Sequence, residues 1–194
     1  MGPSRMFRVL LMMMPALWAA QAEGQQRALS FDARGGYSFP MSDFGDTTES
    51  DFGFGAGLVF SLTESFGIYG GWARDAFGCE DQVVCDEDAQ IHVQGFEAGV
   101  KFIIPTEARI LPWLKAGAIA HEVKFESDAF ESESDREWGF QAAAGLDFPL
   151  GEVVSVSPGL RFNMLETSDD GLFENPEVKY LSFDLGLHFH IPGN

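Results

Sequence analysis

Past its first 22 residues, the 194-residue chain lacks the features that several protein classes require. No apolar stretch there reaches the ~18 residues that a membrane-spanning helix needs, so no helix is expected to cross a bilayer. Positive charge is scarce: over the full chain 12 Lys and Arg stand against 30 Asp and Glu. A nucleic-acid surface needs a basic footprint, so nucleic acid is excluded as a partner. There are only two cysteines, Cys79 and Cys85, framing "CEDQVVC". Without a second pair of thiols they do not make a zinc ligand set. No twelve-residue calcium loop of the EF-hand pattern is present either. Finally, the 3.6-residue periodicity of amphipathic helices is nearly absent, and an alternation of period two recurs in its place.

The first residues read as an export signal. Arg5 and Arg8 precede "VLLMMMPALWAA" (9–20), and Ala20-Gln21-Ala22 is a small-residue cleavage site. Twelve residues of helix reach roughly 18 Å, short of a ~30 Å hydrocarbon core. Residues 1–22 are therefore expected to be a signal peptide and 23–194 a single domain. That domain has 10 basic and 30 acidic residues, a net charge of −20. In an exported protein Cys79 and Cys85 are expected to form a disulfide. Closing so short a loop contributes roughly 2 kcal/mol in the chain-entropy picture.

Eight alternating segments follow, at 28–39, 51–62, 66–77, 90–103, 109–123, 137–148, 153–164 and 179–191. Long connections (40–50, 78–89, 124–136, 165–178) alternate with short ones (63–65, 104–108, 149–152). Short links require antiparallel neighbours, because a parallel crossover needs a dozen residues or more. The pattern predicts an all-β, eight-stranded antiparallel up-and-down barrel, closed so that no strand edge is left open. Twelve residues at ~3.3 Å, tilted by roughly 40°, rise about 30 Å, enough for a ~25 Å apolar band.

Alternation alone does not say which face is outside. A soluble lipocalin-like barrel turns its apolar face inward, and a membrane barrel turns it outward. The apolar sets are bulky and nearly unbroken, as in Phe52, Phe54, Ala56, Leu58, Phe60 and Leu62. The opposite faces are rich in glycine, including Gly53, Gly55, Gly57, Gly139, Gly145, Gly159 and Gly186. Small residues suit the crowded lumen of an eight-stranded barrel, whereas on a solvent-facing exterior they only weaken strands. Charges on that face balance: Arg34, Lys101, Lys115 and Arg161 against Asp32, Glu97, Asp147 and Asp184. A buried network requires such matching, because an unpaired buried ion is costly. The pattern therefore predicts lipid outside and ions inside. Ile91, Val93 and Trp113 break the parity, since each falls on the face assigned to the lumen.

With its export signal, eight strands, alternating connections and the late segments "WGFQAAAGLDFPL" and "VSVSPGLRFNM", the chain resembles the small outer-membrane β-barrel proteins of the OmpA/OmpX type. The resemblance rests on pattern over essentially the whole of 23–194. It implies an outer membrane of a Gram-negative-type bacterium, termini in the periplasm, long loops at the cell surface and insertion by the barrel-assembly machinery. Family members often end in Phe; here Phe189 is followed by "HIPGN".

Sites of chemistry are few. His188 and His190 share a face with Asp184, but two imidazoles do not complete a ligand set, so no metal is expected. "AHEVKFESD" offers His121, Glu122 and Ser127 as the parts of a lipid-modifying enzyme, but no local arrangement activates a nucleophile. No catalytic residue and no cofactor are expected. The expected role is structural or adhesive, through acidic loops that meet an extracellular ligand or reach outer-membrane lipid by way of divalent cations, which carboxylates suit. A narrow porin-like channel and an outer-membrane lipid-modifying enzyme are the alternatives.

Overall fold

The structure is a computed structural model that describes residues 29–46, 48–79, 90–126, 131–133, 135–166 and 177–191. The expected signal segment, 1–22, and Cys85 of the expected disulfide lie outside the described residues. Nine strands follow one another: β1 (Leu29–Met41), β2 (Thr48–Ser61), β3 (Phe66–Cys79), β4 (Gln90–Ile103), β5 (Leu111–Glu126), β6 (Glu131–Glu133), β7 (Glu137–Pro149), β8 (Val154–Glu166) and β9 (Glu177–Ile191). β6 is a short flap on the end of β5. The eight long strands pair antiparallel, each with its neighbour in sequence, and β1 pairs with β9 to close the ring. The fold is a closed eight-stranded up-and-down barrel.

Short turns hold one end of the ring. In the turn between β2 and β3, the Leu62 and Thr63 amides both donate to the Phe66 carbonyl at 2.9 Å. Thr63 Oγ1 accepts from the Phe66 amide at 3.0 Å, the local hydroxyl-to-backbone bonding that favours turns over further strand. The long connections lie at the opposite end, and there the strands run further than the alternation predicts. β5 continues to Glu126 and pairs with β6 through Lys124↔Glu133, Phe125↔Ser132 and Glu126↔Glu131. The expected loop 124–136 thus begins as a hairpin, which satisfies backbone groups that would otherwise need water. Within the expected loop 40–50, a 3₁₀ turn (Ser42–Asp46) folds back over the ring, and β2 already begins at Thr48.

The side chains settle which face is outside. Phe54, Phe140 and Leu185 are 50%, 48% and 55% exposed, and they stand among many exposed Phe, Leu and Ile side chains around the outer wall. A surface this apolar over its whole girth is one that meets hydrocarbon, not water. Their strand neighbours face inward, and Gly53, Gly55, Gln141, Asp184 and Gly186 among them are buried.

The face reading needs one correction. Val93 and Trp113 are buried and face the lumen, Trp113 near the short turns and Val93 at the long-connection end, where Ile91 packs partly buried against the cluster that holds Val93. They do not break the alternation. At the long-connection end the lumen itself is apolar, and Val93 joins Phe77, Ile119, Leu165, Val178 and Tyr180 in a cluster capped by Phe44 of the 3₁₀ turn.

Candidate functional site

The lumen below this cluster is ionic. Alternation on every strand turns one side chain in two inward, and the barrel's stagger brings residues distant in sequence to the same height. The eight charges singled out on the inner face meet there as four pairs. Lys115 Nζ lies 2.9 Å from Asp32 Oδ2, and Lys101 Nζ 3.1 Å from Asp147 Oδ2. Arg34 grips Glu97 with two parallel bonds of 2.8 Å. Arg161 Nε donates to Asp184 Oδ2 at 2.9 Å. All eight residues have side chains at most 11% exposed. The bidentate geometry at Glu97 is the arrangement that makes guanidinium–carboxylate pairs strong.

Three further groups complete the network, and the charge-balance reading missed them. Asp75 of β3 accepts from Arg161 Nη1 and Nη2 at 3.1 Å each, from Ser38 Oγ at 2.7 Å and from Tyr180 Oη at 3.0 Å. Its inward parity was available in "WARDAF", beside Ala73 and Phe77. His188 bridges two carboxylates, with Nε2 3.1 Å from Asp32 Oδ2 and Nδ1 3.4 Å from Asp147 Oδ1. Lys101 Nζ approaches the same Nδ1 at 3.4 Å, so ammonium, imidazole and carboxylate form a triangle. Gln141 Nε2 donates to Glu97 Oε2 at 2.8 Å.

Trp113 lies across this network. Its Nε1 donates to Ser157 Oγ at 2.9 Å, while Lys101 and Lys115 stand 5.2 and 5.5 Å from its ring. The room comes from glycine. A Cβ on Gly145 would come within 2.5 Å of the indole, and one on Gly159 within 2.9 Å. Both glycines are on the inward face, so the small residues of that face are what let a large aromatic in.

What remains open is small. A cavity of about 30 Å³ lies between Asp32, Arg34, Trp113, Lys115 and His188, room for a water or two. At the short-turn mouth, the two nitrogens of His190 stand 3.0 Å from Ser30 Oγ and 3.1 Å from Ser155 Oγ. The terminal histidines are thus engaged by serines, carboxylates and a lysine. Among the described residues no group of three or more His, Cys, Asp or Glu is arranged to hold a metal ion.

Of the residues considered for lipid-modifying chemistry, His121 and Glu122 stand on opposite faces of β5. His121 is fully buried on the inner wall, and neither ring nitrogen has a hydrogen-bond partner among the described residues. Glu122, the next residue along the strand, points to the outer wall and pairs with Gln94 and Arg136. Ser127 lies outside the described residues.

Known proteins share this architecture. Neisserial surface protein A superposes with a TM-score of 0.68 at 13% identity, covering 87% of this chain and 100% of that one. OprG from Pseudomonas aeruginosa gives 0.58 at 14% identity, over 87% and 98% of the two chains. Ail, the attachment invasion locus protein of Yersinia pestis, gives 0.56 at 18%, over 86% and 100%. At such identities the likeness is one of fold. No curated protein matches the sequence significantly. The outer membrane protein beta-barrel domain family matches residues 9–190; with eight strands closed around an ionic lumen and a girth of exposed apolar side chains, the chain belongs to that family.

Proposed function

We propose that the protein is a non-enzymatic scaffold of the outer membrane of a Gram-negative-type bacterium, with both termini in the periplasm and its long connections at the cell surface. Those connections carry the function: adhesion to an extracellular ligand, or envelope stability through divalent cations that join loop carboxylates to anionic lipid. The observation that carries the reading is a lumen filled by paired ions and stoppered by apolar side chains at the long-connection end. Among the described residues a lumen so filled offers no route through the barrel, so what it presents is its loops. The segments 80–89 and 167–176, "EDQVVCDEDA" and "TSDDGLFENP", add acid at that end. In an oxidising compartment a Cys79–Cys85 disulfide pins the first of them. Ail, whose name speaks of attachment, has the same fold, which supports adhesion as the class of role. Biogenesis falls to the barrel-assembly machinery.

Proteinase treatment of intact cells tests the orientation. Cleavage within 126–137 is expected, and protection of every long connection would reject the reading. A narrow channel is the second reading, favoured by the triangle of Lys101, Asp147 and His188, in which a lysine has two partners within reach. Planar-bilayer recording separates the two: the scaffold gives no sustained conductance, and steady unitary currents would select the channel.

A further inference from the structure

One side chain in the wall of the apolar stopper does not belong there by type. His121 lies on the inner face of β5 between Ile119, a member of the cluster, and Val123, which packs against it. Gly95 of β4 is in register with it, and Val93, the next inward residue of that strand, is again of the cluster. Gly95 makes the room for the ring: its φ is 156°, and a Cβ there would stand 2.9 Å from the imidazole Cδ2. The imidazole is fully buried, and among the described residues neither nitrogen has a hydrogen-bond partner.

Packing gives no reason for an uncharged histidine at this position. Two unbonded ring nitrogens away from water destabilise the fold, and a leucine would fill similar space without that penalty. What imidazole adds is the capacity to take up a proton near neutrality, which no other side chain of the cluster has. A local rule broken without a packing gain is the mark of a functional position.

The charges around the ring determine what a proton would do. Facing it in the lumen are Asp75 of β3, Glu97 of β4, Arg34 of β1 and Arg161 of β8. Both carboxylates are committed. Asp75 accepts from Arg161, Ser38 and Tyr180 of β9, and Glu97 accepts from Arg34 and Gln141. Two acids and two bases cancel, so an imidazolium added here has no counter-ion of its own within the lumen. Glu137 of β7 is in register with His121 at the long-connection end and is partly exposed, while Asp43 and Asp46 of the 3₁₀ turn are exposed. A charged ring among Ile119, Val93 and Val123 must therefore draw in water or turn towards that mouth. Either movement loosens the cluster, and the cluster holds more than itself. Phe44 caps it from the turn Ser42–Asp46, with its ring edge-on to Phe77 at 5.0 Å.

We propose that His121 is a proton-operated latch on the loop-bearing end of the barrel. One proton passes from solvent to a ring nitrogen, the apolar stopper loosens, and the turn that Phe44 anchors is released, so the connection between β1 and β2 is presented differently in acid. The latch deepens the scaffold reading and rests on it only for the side of the membrane on which that turn is displayed.

The test uses the full-length protein folded in detergent micelles, carrying Cys79→Ser, Cys85→Ser and a nitroxide on Asp43→Cys. Electron paramagnetic resonance is recorded at about pH 7.5 and about pH 4.5. With His121 intact, the mobile fraction of the label is expected to rise about threefold in acid. His121→Leu and His121→Gln, neither of which takes up a proton, should hold it at the neutral value. Asn163→Leu removes another buried polar side chain whose amide atoms have no partner among the described residues, and should leave the acid response in place. Heat-modifiable gel mobility certifies that each variant is folded at both pH values. A label indifferent to pH with His121 intact overturns the proposal. So does an undiminished acid response in either folded His121 variant, which assigns the effect to the carboxylates. Loss of the response in Asn163→Leu also overturns it, since unbonded polarity and not charge would then be the cause. Reaction of the unlabelled Asp43→Cys variant with a membrane-impermeant maleimide on intact cells reads the side of the membrane. No reaction there overturns the surface display through the scaffold reading, whereas reaction without an acid response in micelles overturns the latch alone.

Discussion

The two ends of the lumen solve the same problem differently. Towards the short turns, the space is filled by ions that satisfy one another: Lys101 with Asp147, Lys115 with Asp32, and His188 between the two carboxylates. Towards the long connections it is filled by hydrocarbon, with Phe44 edge-on to Phe77 at 5.0 Å and Phe77 edge-on to Tyr180 at 5.2 Å. Asp75 and Tyr180 join the halves, since the tyrosine ring belongs to the apolar cluster while its hydroxyl donates to the carboxylate. The difference teaches that filling a narrow barrel is two tasks. Directional pairs fix which strand stands at which height, and the non-directional cluster keeps water away from the pairs, where exclusion of solvent makes each of them stronger.

Substitutions at either end break or sharpen this contrast. The largest effect is expected for Arg161→Met, which leaves Asp75 and Asp184 facing each other without their shared cation. The expected loss is about 3–5 kcal/mol in urea unfolding of the micelle-bound barrel, and adding Asp75→Asn and Asp184→Asn should restore most of it. Phe77→Ala, at a fully buried position of the apolar half, is expected to cost about 3 kcal/mol in the same assay. No single second substitution should rescue it, because a cavity has no charge to neutralise. Tyr180→Phe keeps the ring and removes only the hydrogen bond to Asp75, so about 2 kcal/mol is expected. A loss as large as that of Phe77→Ala would mean that the hydroxyl, not the ring, secures the junction.

The fold was legible because both of its signals are local. Alternation marks each strand, and the contrast between short and long connections dictates antiparallel neighbours. The ends of the strands were not, since β5 runs on into its hairpin with β6 by backbone pairing, which side-chain type does not signal. Within the lumen, parity assigns Arg34 and Glu97 to one face but not to each other. They are 63 positions apart, and Arg161 and Asp75 are 86 apart. Such partners depend on the stagger of the whole ring. Trp113 reads as misplaced for a related reason: the glycines that admit it, Gly145 and Gly159, stand on other strands. Phe77, Val93 and Ile119 look like lipid-facing residues by type, and only the geometry of the closed ring makes them a stopper.

The seam between β1 and β9 has a kinetic corollary. Ser30 reaches across it to His190, 160 positions away, and Ser38 to Ser182, 144 positions away. Until the last strand arrives, the nascent sheet has two raw edges, and Arg161 is short of one of its two carboxylates. Long-range closure of this kind is slow, because the chain's freedom is surrendered before the reward is collected. A polypeptide cut short before residue 177 therefore forfeits more than one strand in eight: it can neither close its circumference nor complete the charge bookkeeping within, and should persist as an adhesive, protease-sensitive ribbon instead of a smaller barrel.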